Sequence, residues 1–362
     1  MVAVDQRIFL AAFNEHPALG PIHLSELKQR IRGDWERLWS EDPPRINSEL
    51  KLYLHEARAH YSPSTIEKTL AKHSIHLVLA DDPGFPALLT QIPTPPLLLY
   101  VKGDAGALLR VPMVAIVGTR KITPYGRNVT EFMVEPLVRA GCATVSGLAL
   151  GVDAAVHRAT LTQKGITVGV LPCGILTVYP SSNETLARAI VKGGGALISE
   201  FPLSSRALKF HFLQRNRLIA GLAPVTVVIE AQEHSGTQIT ARAALEAGRE
   251  VFAVPSSIFS PSARGPHHLI KEGARLLDDP AEILEELGLH ARAARAPYIA
   301  SVNEAQVLRY LPLGEAVDRD RLVELAGLSA SALNGTLTEL ELKQIIQRVG
   351  NNQVERVTDF ST

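Results

Sequence analysis

The strongest constraint on this chain is a series of short apolar runs beginning at Met113: MVAIV (113–117), ATV (143–145), TVGVL (167–171), ALIS (196–199), VTVVI (225–229) and EVFAV (250–254). A strand with water on one face alternates polar and apolar residues; one covered on both faces does not. Runs this short and this apolar, most of them closed by Gly, Pro or Ser, predict parallel strands buried on both sides. Helical stretches separate them, as in NVTEFMVEPLVRAG, where Val129, Phe132, Met133 and Leu137 share one face. The alternation predicts an α/β unit at 113–290 with a doubly wound, mostly parallel, Rossmann-like sheet.

The flanks read differently. Residues 1–80 predict a small helical domain, with helices in IFLAAFNEH, HLSELKQRI, ELKLYLHEARAHY and STIEKTLAKH, the last capped by Ser64. Residues 81–112 form a Pro-rich connector, because each proline lacks an N–H and biases its predecessor toward extended backbone. After an Ala/Arg-rich linker, residues 300–362 predict three helices and a two-stranded hairpin turning at Gly350–Asn352, a winged-helix-like domain.

Overall charge is zero, with 37 basic and 37 acidic residues, yet it is unevenly placed. The counts are 11 basic and 13 acidic to Asp104, 18 and 10 from Ala105 to Leu277, and 8 and 14 thereafter, giving −2, +8 and −6. A basic middle attracts a phosphate-rich ligand, and an acidic C-terminal segment disfavours duplex DNA there. No apolar run approaches the roughly 18 residues of a membrane span. MVAVDQRIFLAAF lacks a basic n-region and a cleavage site, and Cys142 and Cys173 lack zinc-ligand spacing. A reduced, cytoplasmic protein without metal is expected.

Ligands of an open α/β sheet sit outside the carboxyl ends of its strands. Three such ends lead into loops suited to anions: Gly118-Thr119-Arg120, Ser146-Gly147-Leu148, and Ser235-Gly236-Thr237 directly before a helix. Glycine admits backbone N–H groups to an oxygen, hydroxyls add donors, and a helix N-terminus adds partial positive charge. A fourth segment, LSSRALKFHFLQRNRLIAGL, interleaves Arg206, Lys209, Arg215 and Arg217 with Phe210, His211 and Phe212, with no acid between Phe201 and Ile229. Cations beside aromatic faces suit single-stranded nucleic acid, although an amphipathic helix with core Phe and solvated Arg gives the same pattern. Asp153 and His157, four apart, suit either helix capping or part of a catalytic pair. Signatures for a dinucleotide fold, a P-loop, a serine hydrolase or a zinc protease are missing, and no cofactor is expected.

At these residues the chain resembles the DNA processing protein A (DprA/Smf) family over about residues 82–280. The ordered motifs include PGFPALLTQIPTPPLLLYVKGD, VAIVGTRKITPYG, VSGLALGVDAAVH, GVLPCGILTVYPSSN, LISEFP, LKFHFLQRNRLIAGL, VVIEAQEHSGTQITARAALEAGREVFAVP and GPHHLIKEGARLL. The resemblance implies a sterile-alpha-motif-like N-terminal domain and a winged helix at the C-terminus. It also implies a non-enzymatic dimer that binds and shields single-stranded DNA in natural transformation. Such a protein loads the RecA recombinase and helps displace single-strand-binding protein. Carried over by position, Arg120 and Lys209 contact DNA and Phe212 stacks, while Gly118, Thr119, Ser146, Gly147, Arg215, Asn216, Arg217, Ser235, Gly236 and Thr237 line the pocket. Leu269, Ile270 and Leu276 are the implied dimer contacts. Leu150, Ser256 and Gln344 depart from the family pattern, where Arg, Gly and Gly are common. An enzyme resembling nucleoside-monophosphate phosphoribohydrolases is the rival, but its signature glutamate is Thr240 here.

Overall fold

The computed structural model describes residues 5–109, 112–233, 235–289, 301–343, 345–350 and 352–357. Gln344 lies outside them. The N-terminal part holds α1 (Gln6–Asn14), α2 (Pro21–Ile31), α3 (Trp35–Ser40), α4 (Ser48–His60) and α5 (Pro63–Lys72). Asp5, Asp34 and Asn47 accept backbone N–H bonds at the starts of α1, α3 and α4, while Pro21 and Pro63 open α2 and α5. The residue preceding α5 is therefore Ser62, not Ser64 as expected. Phe13 packs against Trp39 at 4.9 Å between ring centroids, at the centre of this helical cluster.

Among the described residues the central sheet has nine strands, not six. In chain order these elements are β1 (Ile75–Leu79), β2 (Leu98–Gly103), β3 (Met113–Val117), α6 (Pro124–Arg139), β4 (Ala143–Ser146), α7 (Val152–Thr162), β5 (Thr167–Val170), α8 (Glu184–Lys192) and β6 (Ala196–Ser199). They continue with α9 (Lys209–Leu222), β7 (Val225–Val228), α10 (Gly236–Glu246), β8 (Glu250–Ala253), α11 (Arg264–Lys271), β9 (Arg275–Leu276) and α12 (Ala281–Glu286). Their order across the sheet is β1-β2-β6-β5-β4-β3-β7-β8-β9. The six predicted runs supply the parallel centre. The additions are β1 and β2, antiparallel to each other, with β2 antiparallel to β6, and the two-residue edge strand β9. A strand thus sits within the expected helical segment, and part of the Pro-rich connector is built into the sheet.

Although the runs are unbroken in hydrophobicity, the strand period of two still sorts them. Met113, Ala115 and Val117 face the side covered by Leu218, Ile219 and Leu222 of α9, and Val114 and Ile116 face Met133, Val134 and Leu137 of α6. From β3 the chain winds outward through β4, β5 and β6, then α9 carries it back to β7 on the other side of β3. The reversal makes a switch point at the carboxyl ends of β3 and β7, the usual ligand crevice of such sheets.

Downstream lie α13 (Val302–Leu308), β10 (Ala316–Asp318), α14 (Arg319–Ala326), α15 (Ala330–Leu342), β11 (Ile346–Val349) and β12 (Gln353–Arg356). Here β12 pairs with both β10 and β11, so the predicted two-stranded wing is three-stranded. Ser301 and Glu304 close a capping box on α13, and Glu304 is also paired with Lys343 at 2.6 Å.

His157 on α7 is fully buried, its Nδ1 2.7 Å from Thr167 Oγ1 and its Nε2 without a partner among the described residues. It does not pair with Asp153, whose carboxylate accepts from Ala149 N at 3.3 Å. Burial, aided by nearby Arg215 and Arg158, lowers the His157 pKa from 6.5 to about 3. Between those values the unfolded chain binds a proton that the folded chain refuses, so stability falls as pH drops through the window from 6.5 to about 3. Urea unfolding of wild type and His157→Gln across that window should show wild type losing stability relative to the variant as pH falls. A constant difference would contradict a neutral buried imidazole.

Candidate nucleic-acid interface

The Gly118-Thr119-Arg120 loop is pinned from below by Glu230, which follows β7 and is 1% exposed. Glu230 accepts from Thr123 N at 3.0 Å, Thr123 Oγ1 at 2.7 Å and Ser262 Oγ at 3.0 Å, while its backbone carbonyl accepts from Thr119 N at 2.6 Å. A buried carboxylate with this many donors is satisfied rather than reactive. Thr119 in turn accepts from Val152 N at 3.0 Å, joining the loop to the start of α7. Gly151, at φ +81°, permits that approach, because a Cβ there would overlap the Thr119 carbonyl. Across the switch point, Thr237 Oγ1 donates to Gly118 O at 3.1 Å, and Asn216 Nδ2 to Gly236 O at 3.2 Å. The carboxyl-end loops of β3 and β7 thereby form one rim.

Under this rim lies Arg215, 3% exposed. Its Nη1 donates to Gly147 O and Val170 O, at the carboxyl ends of β4 and β5, and its Nε to Asn216 Oδ1 at 3.2 Å. A Cβ on Gly147 would overlap the guanidinium, so glycine there makes room for the brace. Burial pulls the Arg215 pKa down to about 10, opposed by Asp153, leaving it charged at neutral pH. Burial also raises the Asp153 carboxyl, with Arg215 the main opposing influence. Arg217 pairs with Glu200, which is 7% exposed and whose pKa burial also raises against the pull of Arg217.

This placement corrects the expected pocket lining. Arg215 has no surface to offer a ligand, and Arg217 is committed to Glu200. Ser146 is fully buried, its Oγ bonded to Ile116 O at 2.7 Å, and Asn216 is 8% exposed. These residues hold the loops. What faces solvent is Arg120, whose guanidinium lies 4.8 Å from the centroid of the Phe212 ring, with Lys209 exposed at the start of the same helix. Gly118 and Thr119 are half-buried beside Arg120, Ser235 and Gly236 open the α10 N-terminus, and Thr237 is mostly buried. Ser235 Oγ has no partner among the described residues.

Sequence reasoning missed two contributors. Tyr179, 44% exposed, sets its ring against Phe212 at 5.5 Å and 75°, completing an Arg120–Phe212–Tyr179 cluster. Its VYPSSN context marked a loop after a strand, with nothing local to place it beside Phe212. Glu230 was visible as the acid ending an apolar run, a position that predicts a role inside the fold. Leu269 is 4% exposed and Ile270 half-buried against the core, so of the implied dimer contacts only Leu276, 45% exposed, presents a side chain outward.

Several exposed cations gather around this crevice. Some surface arginines elsewhere are neutralised, as with Arg139–Glu135 and Arg188–Glu184 on helices and Arg275–Glu286 on β9, whereas Arg127, Arg158, Arg242 and Arg264 are exposed without an ion pair among the described residues. Arg120, Lys121, Arg206 and Lys209 are exposed and have no ion pair among the described residues. The described residues contain no metal-ligating cluster and no helix long and apolar enough to cross a membrane. Position 240, glutamate in the rival enzymes, is a threonine 2% exposed.

Removing the brace and removing the outer cation should separate cleanly. Arg215→Met strands Asp153 and two strand-end carbonyls, and should cost roughly 3–5 kcal/mol in chemical denaturation. Arg120→Ala should change stability by no more than about 0.5 kcal/mol. Equal losses would mean that Arg120 is structural too.

Residues 76–288 match the family model described as DNA recombination-mediator protein A, and 291–352 match the DprA winged helix domain. The chain is 43% identical to protein Smf of Escherichia coli over 217 residues, 59% of this chain and 58% of that protein's own length. It is 41% identical to the DNA processing protein DprA of Bacillus subtilis over 216 residues, 60% of this chain and 72% of that one. The X-ray structure of DNA processing protein A from Streptococcus pneumoniae superposes with a TM-score of 0.68 at 32% identity, covering 77% of this chain and 97% of that one. The Helicobacter pylori protein, described for its unique single-stranded DNA binding mode, superposes at 0.54 with 28% identity, covering 59% and 98%. The chain belongs to the DNA recombination-mediator protein A (DprA/Smf) family.

Proposed function

We propose that this protein binds single-stranded DNA at the β3–β7 switch point, shields it and presents it to the RecA recombinase during natural transformation. It acts in the cytoplasm as a homodimer, helps displace single-strand-binding protein, and carries out no chemistry on the strand. The observation that carries this reading is the pairing of unneutralised Arg120 and Lys209 with the Phe212 ring. Charge holds a phosphate backbone without regard to sequence, and a ring stacks on a base only when that base is unpaired. The Helicobacter pylori relative, described for its single-stranded DNA binding mode, supports the choice of ligand. Leu276, outward-facing on edge strand β9, supports a dimer contact at that end of the sheet. The absence of a carboxylate at Thr240 favours binding over nucleotide hydrolysis.

Titration of fluorescent single-stranded and duplex oligonucleotides of equal length at several salt concentrations tests the reading. Single strands should bind preferentially, with a log–log salt slope of about −2 to −4 if roughly three to five phosphates are neutralised. Arg120→Ala/Lys209→Ala should bind much more weakly and with a shallower slope. Equal binding of duplex, or an unaffected double variant, would reject the assignment.

A further inference from the structure

Helix α9 exposes more apolar surface than the Phe212 pocket uses. Phe210 is 53% exposed, Leu213 47%, and Leu208, just ahead of the helix, 46%. At about 100° per residue, Phe212, Lys209, Leu213 and Phe210 follow one another round the helix in steps of about 40–60°. They form a continuous arc leading away from the pocket. Phe210 is anchored on its inner side: its ring stands edge-on to His211 at 4.4 Å, and His211 stacks on buried Phe201 at 4.1 Å. His211 is held in turn through Nδ1, 3.1 Å from Arg206 O. The outcome is a fixed ring with an open face.

The charge around the ring selects its occupant. Arg206 and Lys209 flank it, both exposed and without an ion pair among the described residues, and no acid occurs between Phe201 and Ile229. Apolar patches that meet other proteins are depleted of lysine at their centres, whereas alternation of cation and ring suits a strand of phosphates and unpaired bases. We propose that Phe210, with Leu213, forms a second base platform that extends the single-stranded DNA track beyond Phe212, with Lys209 holding the phosphate between the two. This rests on the single-stranded DNA reading above.

The full chain is titrated with oligothymidylates of increasing length and with an abasic strand carrying as many phosphates as the longest of them. Phe210→Ala should weaken the longest oligothymidylate roughly tenfold, leave the shortest and the abasic strand unchanged, and keep the salt slope, since no charge is removed. Phe210→Trp should restore affinity, and its added fluorescence should be quenched by the long strand, read as the difference from wild type, which already contains Trp35 and Trp39. Wild-type binding by Phe210→Ala at every length, alongside loss of binding by Arg120→Ala/Lys209→Ala, would overturn the second platform and leave the first reading standing. An equal loss on the abasic strand would overturn it as well. A double variant that binds like wild type would remove the reading on which the platform rests.

Discussion

Arg215 puts a full positive charge where water does not reach it, and the pocket loops take their shape from the bonds that charge must make. A buried guanidinium without partners is untenable, so the chain supplies Gly147 O, Val170 O and Asn216 Oδ1, with Asp153 as counter-charge. The two carbonyls sit at the carboxyl ends of neighbouring parallel strands, which fixes the height and spacing of the loops above them. Arg120 feels the same charge as repulsion. Arg120, exposed above the buried Arg215, Asp153 and Glu230, is the cation an anion settling at the crevice would meet first.

A second buried pair extends this framework toward the N-terminal helices. Arg217 holds the Glu200 carboxylate, while the Glu200 carbonyl accepts from Asn14 Nδ2 of α1 at 3.3 Å. Beside them, Glu15 accepts from Leu203 N at 2.7 Å and from the buried Tyr100 hydroxyl at 3.4 Å. The segment from Glu200 to Lys209, which presents Arg206 and Lys209, is therefore tethered at its start to α1, to β2 and to α9. Such fixing lowers the entropy lost when a flexible strand settles on it. The helical part contributes to the interface by holding this segment, without lending a side chain to it.

How much of this was legible follows from what each signal measures. Hydrophobic runs report burial on two faces, so the parallel centre of the sheet was plain. They report poorly on β2, where PTPP precedes LLLYV and the prolines weighed more than the apolar run behind them; the short exposed pair of β9 gives no run at all. Arg120, Lys209 and Phe212 were legible as candidates because charge and aromaticity survive in composition. Arg215 and Arg217 were misplaced because a count of cations treats each as solvated. Helical phase held the missing information for Arg215: it shares a face with His211, Leu218 and Leu222, the side that covers the sheet. What no local pattern carries is the pairing of distant loops, such as Tyr179 with Phe212 or Glu230 with Thr123.

A chain with no net charge can still capture a polyanion, because charges act over a limited range in salt. At physiological ionic strength the screening length is about 8 Å, so the acidic C-terminal segment does not cancel a cation cluster lying farther away than this. What matters is whether each cation meets a carboxylate within reach. Arg139 and Arg188 on helices and Arg275 on β9 do; among the described residues, Arg120, Lys121, Arg206 and Lys209 at the crevice do not, and neither do Arg127, Arg158, Arg242 and Arg264. The same argument explains why the acid-free stretch from Phe201 to Ile229 carries more meaning than the +8 of the middle third. A single well-placed glutamate beside Lys209 would leave the regional sum almost unchanged and remove the local field on which phosphate capture depends.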